Sequence, residues 1–274
     1  MAFYLFICFL LLCISSLCKG LPTSPYGPIE VHLLSGPTSR ASLAEFEVQN
    51  ARQALHLIKK KLGPDVLHDL VQSDIDEADK FWHDIIKHSK RGHKISDVRV
   101  EALVSTHILN TTILFEYLTT FANNGFPNRL IDGNPQHYLI QDSPDNVQEV
   151  IENWGTGPIT HFKVVPSERT PYMDPLCDFP LQFTREMVLR DGTSLAHEIL
   201  AVRDNPDGSG MEVVLINYFP SATPEYQIEG VREHVAVELG NWMKFAYEDI
   251  VSGRFVPSTQ APGSGKLVVQ RPEL

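Results

Sequence analysis

The chain contains 274 residues, of which 43% are hydrophobic and 21% are charged. This composition excludes a disordered or collagen-like protein, and the length excludes a small scaffold that depends on disulfides for its stability. The formal charge of −11, from 23 Lys and Arg against 34 Asp and Glu, argues against nucleic acid and anionic membrane surfaces as partners.

The chain begins with an apolar segment that predicts entry into the secretory pathway. Residues 2–17 are apolar except for two serines, and a run of roughly 16 residues is shorter than the roughly 20 that a helix needs to span a bilayer. We therefore expect a signal peptide over residues 1–20 and a protein that is secreted or held in a vesicle lumen, without membrane contact after cleavage. An uncleaved membrane anchor is the alternative. Cleavage would leave Cys177 unpaired, because the other three cysteines lie within residues 1–20.

A glycosylation sequon agrees with this route. Asn110-Thr111-Thr112 is the one N-x-S/T triplet in the chain. It predicts an N-linked glycan on Asn110.

The first part of the predicted mature chain is helical. Residues 21–40 are rich in Pro, Ser and Gly, which indicates an extended lead-in. A capping-box pattern from Ser42 to Glu45 predicts a helix that ends at Gly63-Pro64, and a second helix is expected from Ser73 to Gly92. This helical region, residues 41–92, opens a single predicted domain over residues 41–252.

Strands and one long helix make up the rest of that domain. Alternating apolar residues at 98–104 predict a strand, residues 113–122 a short helix, and four further strands are expected at 159–166, 182–190, 193–203 and 211–219. A helix over 229–251 and a flexible tail over 253–274 complete the chain. This order predicts an α+β, helix-grip (START-like) fold over residues 94–252, in which a curved antiparallel sheet surrounds the long C-terminal helix.

One face of the C-terminal helix carries two residues that could bind a metal. His234 and Glu238 are four positions apart and therefore share a face, together with apolar neighbours. Burying both is costly unless they pair with each other or bind a metal. A simple His–Glu contact is the alternative. The further ligands that a metal requires must come from other elements, and spacing does not choose among the remaining candidates, which are His107, His137, His161 and His197.

Four segments, in the same order along the chain, resemble motifs of the diacetylphloroglucinol hydrolase family, which are zinc enzymes that remove an acyl group from acylated phloroglucinols. The resemblance covers about residues 105–250. The segments are Asn134-Pro135-Gln136-His137, the stretch 150–158 (VIENWGTGP), the strand pair at 197–203 and 210–213, and the helix with His234, Glu238, Asn241, Trp242 and Phe245.

This resemblance implies a site and a cofactor. It implies zinc bound by His137, Glu152, His234 and Glu238, with His197 as an acid/base group in the pocket and Tyr218 as a residue that contacts a phenol. The chain departs from the family in its aromatic residues before the first zinc histidine, where Leu130 falls near the position of a pocket tyrosine. We therefore expect a different substrate.

Three functions remain open at this stage. The first is a zinc-dependent hydrolase that cleaves the carbon–carbon bond of an acylated phenol or related polyketide. The second is a non-hydrolytic cyclase, such as a hetero-Diels–Alderase of polyketide or terpenoid biosynthesis, which needs shape and exclusion of water rather than an activated water. The third is a secreted carrier of a hydrophobic ligand. Each implies a small hydrophobic or aromatic partner, and the apolar strands favour a homodimer.

Overall fold

Seven antiparallel strands and a long C-terminal helix form the framework of the protein. The computed structural model describes residues 43–103, 108–120, 127–143, 147–174 and 176–258. The predicted signal peptide, the lead-in and His107 lie outside these residues. The described residues divide into two compact units at Ile58 and Lys59, and the sheet and helices α2 to α4 belong to the second unit.

The strands form one curled sheet that resembles half of a barrel. Their order across the sheet is β1-β7-β6-β5-β4-β3-β2, so the first strand pairs with the last and each other strand pairs with its neighbour in the chain. The strands are β1 His93–Leu103, β2 His137–Ser143, β3 Val147–Glu152, β4 Thr160–Pro166, β5 Leu181–Leu189, β6 Ser194–Asp204 and β7 Gly210–Pro220.

Four helices complete the described chain: α1 Leu43–His88, α2 Thr111–Thr120, α3 Pro127–Gly133 and α4 Glu225–Val251. Helix α1 is interrupted at Gly63, whose φ of 76° and ψ of 167° are not helical. Pro64 then restarts the helix at once, because its fixed φ suits a first helical position. The predicted end at Gly63-Pro64 is therefore correct, but the second helix begins about nine residues before the expected Ser73.

The main core lies between the inner face of the sheet and helix α4. Alternate residues of β6 and β7, such as Leu200 and Leu215, share this core with Val231, Val235 and Leu239 of α4. A strand's side chains alternate between its two faces, so these residues define the inner face of the sheet. The arrangement confirms the predicted α+β helix-grip fold, with a curved antiparallel sheet around a long C-terminal helix.

The outer face of the sheet is also buried. On β6 and β7, Ile199, Ala201, Val214 and Ile216 pack against Met173, Leu176 and Phe179 of the segment that connects β4 to β5. On β2 and β3, Leu139 and Ile151 pack against Ile75 of α1. Because both faces are covered, the central strands are apolar along nearly their whole length, and their sequences do not reveal which residues face inward.

Most predicted elements agree with the structure within a few residues. The hairpin at Asp191-Gly192 is present, with Gly192 at a φ of 90°. The sequence analysis missed α3, β2 and β3, which lie between residues 127 and 152. Among the described residues, no helix combines the length and apolar character needed to cross a bilayer.

A buried carboxylate anchors the C-terminal end of α4. Asp249 is fully buried and accepts hydrogen bonds from the Tyr117 hydroxyl at 2.8 Å, Arg129 at 2.8 Å and Arg254 at 2.7 Å. Phe255, just beyond, is buried with its ring 5.1 Å from that of Tyr117. The chain therefore packs on the core beyond residue 253, where the flexible tail was predicted to begin.

Replacing Asp249 should destabilise the fold more than replacing its neighbour Glu248. Asp249→Ala leaves Arg129 and the Tyr117 hydroxyl without their buried partner, and we expect a loss of about 3 kcal/mol at pH 7 in urea unfolding. Glu248 is exposed and also pairs with Arg129, at 3.0 Å, so Glu248→Ala should cost about 0.5 kcal/mol or less. Equal losses in the two variants would contradict this role for Asp249.

The cost of Asp249→Ala should also depend on pH. Burial raises the pKa of Asp249, but hydrogen bonds from Arg129, Tyr117 and Arg254 outweigh it and lower the pKa below its ordinary value. A lowered folded-state pKa means that the stabilisation is present above about pH 4 and is lost as the pH falls through the folded-state value. The difference between wild type and Asp249→Ala in urea unfolding should therefore shrink toward pH 3.

Candidate metal centre

Four side chains from three elements meet at one end of the inner sheet face. His137 begins β2 and Glu152 ends β3, and the antiparallel register places them opposite each other. His234 and Glu238 are one turn apart on α4, and both are buried. The structure thus brings together all four residues that the resemblance implied as metal ligands.

The ligand atoms of these residues are close to one another. His137 Nε2 lies 3.1 Å from His234 Nε2, 3.3 Å from Glu152 Oε2 and 3.4 Å from Glu238 Oε1. His234 Nε2 lies 3.6 Å from Glu152 Oε2. At least three of the four residues, His137, His234 and Glu238, are arranged so that one ion could contact all of them.

The proton on His137 is fixed by a carbonyl group. Its Nδ1 lies 2.7 Å from the carbonyl oxygen of Leu130, which can only accept a hydrogen bond, so Nδ1 carries the proton. Burial lowers the pKa of His137 to about 4, with the charge of His234 acting in the same direction, although the charge of Glu152 opposes both. The ring is therefore neutral at pH 7, and its Nε2 presents a free lone pair to the cluster.

The proton on His234 is fixed by Gln136. The side-chain amide of Gln136 donates to the Gly155 carbonyl at 2.7 Å, and its Oε1 accepts from the Gly155 N–H at 3.2 Å. These two bonds set the orientation of the amide, so that Oε1 accepts from His234 Nδ1 at 3.1 Å. His234 Nε2 is then also unprotonated in the neutral ring.

The cluster is rich in acceptors. Four of the six separations among its ligand atoms are 3.1 to 3.6 Å, those from His137 to the other three residues and that from His234 to Glu152. Such an arrangement repels itself unless protons or a cation bind between the groups. Neutral histidines whose second nitrogen donates to a carbonyl or amide are typical of metal sites, because the outer hydrogen bond fixes the ring.

The two carboxyl groups have opposite pKa shifts. Burial raises the pKa of Glu238 well above its ordinary value, and the charges of Glu152 and Glu198 add to this. Burial also acts to raise the pKa of Glu152, but His234, His137 and the Trp154 indole, which donates at 2.7 Å, outweigh it and lower the pKa. Without a cation, Glu238 is thus the carboxyl group of the cluster that takes up a proton most readily.

A close backbone contact brings the turn after β3 against α4. Gly155 has a φ of 60°, and a Cβ atom placed on it would lie 2.9 Å from the Gly230 Cα. Glycine at both positions therefore lets the turn approach α4 one helical turn before His234. A separate contact comes from the turn before β2, where Asn134 donates to the His234 carbonyl at 2.9 Å.

A buried lysine holds the strand that carries His137. Lys59 Nζ donates to the Pro135 carbonyl at 2.7 Å and to the carbonyl of His137 itself. Burial lowers the pKa of Lys59 to about 8, although the charge of Asp132 opposes this. The sequence analysis missed this contact with β2, because a single lysine in a predicted helix is expected to be exposed to solvent.

A cavity of about 50 Å³ borders the cluster on the inner side of the sheet. Glu152 and Glu238 form part of its wall. Its polar lining also includes Arg185, Glu198 and Asn217 of β5, β6 and β7, which the sequence analysis missed. Apart from Gln148, the remaining wall is apolar: Leu130, Ile140, Val150, Trp154, Phe162, Val164, Met187, Leu215, Val231, Val235 and Trp242.

His197 and Tyr218, expected in the pocket, lie on the other side of the sheet. They face each other across β6 and β7 and belong to the outer face, as Tyr218 packs in the outer cluster. The Tyr218 hydroxyl accepts from the Asp174 N–H at 2.9 Å, and the His197 ring lies 5.4 Å from that of Tyr172. The expectation that both line the pocket is wrong, because the sheet separates them from the cavity. Glu198, the residue after His197, faces the cavity instead.

Other residues singled out in the sequence lie apart from the cluster. His161 pairs with Glu149 at 2.8 Å, and Cys177 is exposed. Asn110 is exposed and its Oδ1 accepts from the Ile113 N–H at 2.9 Å, which caps α2. Its side-chain nitrogen, the atom that a glycan would join, is not used in the cap. Glycosylation at Asn110 stays a prediction.

Comparisons with known proteins add distant likenesses only. No protein-family model matches the chain, and no curated protein matches it in sequence. Among solved structures, the KanY protein is similar at 10% identity over 57% of this chain and 98% of its own, with a TM-score of 0.40. Ara h 8.0201 is similar at 11% identity over 59% and 99%, with a TM-score of 0.35. An uncharacterised protein from Bacillus thuringiensis gives 11% over 56% and 98%, with a TM-score of 0.36. Likenesses this distant carry no inference about function.

Removing the Gln136 side chain should weaken metal binding without removing a ligand. Gln136→Ala frees the His234 ring to rotate and to change its tautomer, and we expect the dissociation constant for a divalent ion such as Zn²⁺ to rise about 10- to 100-fold. Competition with a chromophoric chelator measures this. The control is Gln141→Ala, because Gln141 is an exposed glutamine five residues further along, in β2, that donates to Glu149 and lies apart from the cluster. Equal affinities in the two variants would contradict the role assigned to Gln136.

Proposed function

We propose that this protein is a zinc-dependent enzyme that removes an acyl group from an acylated phenol, or from a related polyketide, by hydrolysis of a carbon–carbon bond. The observation that carries the proposal is the meeting of two histidine and two glutamate side chains, all buried, at the wall of a cavity. A carrier of a hydrophobic ligand has no need of such a cluster, which is costly to bury without a cation.

The ligand set favours zinc. Zinc prefers imidazole nitrogen and carboxylate oxygen, and four such atoms at about 2.1 Å from a tetrahedral ion would be about 3.4 Å apart. Four of the six separations in the cluster, 3.1, 3.3, 3.4 and 3.6 Å, bracket that value. His137, His234, Glu238 and Glu152 would hold the ion, with Leu130 and Gln136 fixing the two rings.

The reaction would use both the cluster and the cavity. Zinc held by these residues would supply Lewis acidity, which polarises a ketone and makes water a better nucleophile, provided that it expands from four to five ligands, as zinc does in catalytic sites. Breaking the bond between the ring carbon and the carbonyl carbon sends the hydroxyl of water to the acyl carbon and a proton to the ring, and yields a carboxylic acid and a deacylated phenol. The apolar wall excludes bulk water and orients the ring.

The size of the cavity sets a condition on substrate entry. Its volume of about 50 Å³ has room for a few water molecules. A benzene ring occupies cavities of about 150 Å³. The cavity must therefore widen for an aromatic substrate, by movement of the side chains that line it or of α4 against the sheet.

One observation favours a cyclase as the second candidate. The expected acid/base group, His197, lies on the outer face of the sheet, so the hydrolytic mechanism loses the proton donor that the resemblance implied. A cyclase of polyketide or terpenoid biosynthesis requires only a shaped, dry cavity with a fixed polar group. In that case the cluster would stabilise the fold or polarise the substrate, and water would take no part.

Metal content and turnover together test the proposal. The purified protein should contain about one zinc per chain by elemental analysis and release acetate from an acetylated phloroglucinol. Glu238→Gln removes a ligand charge, so both zinc and turnover should fall at least about 100-fold. The matched control is Glu149→Gln, since Glu149 also pairs with a histidine, His161 at 2.8 Å, outside the cluster. His197→Ala should keep turnover within about twofold, because its ring is not in the cavity.

Each other outcome has a defined meaning. If Glu238→Gln loses zinc but keeps turnover, the metal takes no part in the chemistry and the hydrolase proposal fails. Stoichiometric zinc with cyclised product and no acetate supports the cyclase. Binding of an aromatic ligand without zinc or turnover in any form of the protein supports the carrier.

A further inference from the structure

Three polar residues form a row across the inner face of the sheet, on strands that do not carry the metal-ligand cluster. Arg185 of β5 is directly opposite Glu198 of β6, and Glu198 is directly opposite Asn217 of β7. All three line the cavity. Glu198 is 4% exposed and Asn217 is fully buried. A charged group in such a position indicates a specific role, because burial of a carboxylate is unfavourable unless it is fully bonded.

Glu198 is committed to its two neighbours. Its Oε1 accepts from Arg185 Nε at 2.7 Å and from Arg185 Nη2, and its Oε2 accepts from Asn217 Nδ2 at 3.1 Å. An ionised carboxylate only accepts hydrogen bonds, so the amide nitrogen of Asn217 must point toward it. Arg185 thus holds Glu198, and Glu198 in turn sets the orientation of the Asn217 amide.

This orientation leaves one atom without a partner. Asn217 Oδ1 is buried and makes no hydrogen bond with any described residue. A buried acceptor left unbonded is destabilising, and native proteins seldom keep one unless a ligand or a bound water satisfies it. The row therefore holds one unbonded acceptor, Asn217 Oδ1, on the cavity wall, where Leu215 lies two residues away on the same strand. Gln148, the other neutral polar residue of the lining, lies at the far end of the row and accepts from Arg185 Nη1 at 3.5 Å.

We propose that Asn217 Oδ1 accepts a hydrogen bond from a neutral hydroxyl group of the ligand that occupies this cavity. The ligand is then an apolar ring with a protonated hydroxyl, such as a phenol. Ethers and phenolates are rejected, because their oxygens only accept hydrogen bonds and Asn217 Oδ1 is also an acceptor. This deepens the proposed function, on which it rests for the assumption that the substrate binds in this cavity. It assigns substrate recognition to β5, β6 and β7, apart from the metal-ligand cluster on β2, β3 and α4.

The inference is tested by binding, without turnover. The probes are phloroglucinol and 1,3,5-trifluorobenzene, which have similar shapes, although only phloroglucinol donates hydrogen bonds. The wild-type protein should bind phloroglucinol at least about 10-fold more tightly, because a site with a fixed acceptor penalises a ligand that leaves it unbonded. Quenching of tryptophan fluorescence reports binding, since Trp154 and Trp242 line the cavity.

Asn217→Leu should reduce that preference to about twofold or less. The matched control is Asn205→Leu, because Asn205 is also a buried asparagine that donates to a glutamate, Glu101 at 2.7 Å, but lies outside the cavity. Asn205→Leu should keep the wild-type preference. If Asn217→Leu keeps the preference as well, a water satisfies the amide and the inference is wrong. If the wild-type protein itself shows no preference, the inference fails whether or not the variant folds.

The same binding assay separates this inference from the proposed function. Gln136→Ala should weaken zinc binding yet keep the preference for phloroglucinol, because Gln136 supports His234 and does not line the cavity. If the wild-type protein contains no zinc and shows no turnover but prefers phloroglucinol, the hydrolase proposal is wrong and this inference stands. If the wild-type protein contains zinc and shows turnover but Asn217→Leu leaves the preference for phloroglucinol unchanged, this inference is wrong and the hydrolase proposal stands.

Discussion

The structure depends on holding four acceptor-rich side chains together in a buried cluster. His137, His234, Glu152 and Glu238 come from a strand start, a strand end and a helix, and their ligand atoms repel one another unless a proton or a cation binds among them. A fold that forces such groups together must offset the repulsion through the rest of its contacts or through a cation. Neighbouring groups hold the cluster in place. The carbonyl of Leu130 and the amide of Gln136 fix the two histidine rings, and the Gly155–Gly230 contact sets the distance from α4 to the turn after β3.

Part of this site was predictable from local spacing. His234 and Glu238 share a helix face because they are four residues apart, and that inference needs no knowledge of the fold. His137 and Glu152 are different, because only the β2–β3 register brings them opposite each other. The sequence analysis found neither strand, and it connected these residues to the helix through a family resemblance alone. Long-range register is set by packing, which a local pattern does not contain.

The sequence pattern of β6 does not indicate toward which face of the sheet His197 points. On β6 the residues on both sides of the sheet are buried, one set by α4 and the other by the segment that connects β4 to β5. The alternation that would separate inside from outside is therefore absent. A shift of one residue exchanges the two faces, so the polar group in the cavity is Glu198 and not His197. Likewise, nothing around Asn217 in the sequence indicates that its amide is held by a buried ion pair.

The depth of the cluster has a kinetic consequence. His137 is fully buried, and the other three ligand residues are at most 8% exposed. An ion cannot enter or leave through such packing unless α4 or the β2–β3 pair opens locally, so the exchange rate is set by the free energy of that opening and not by diffusion. A metal captured as the chain folds would thus remain through many encounters with competing ions. The metal found in the protein would then reflect which ion was available in the compartment where folding took place.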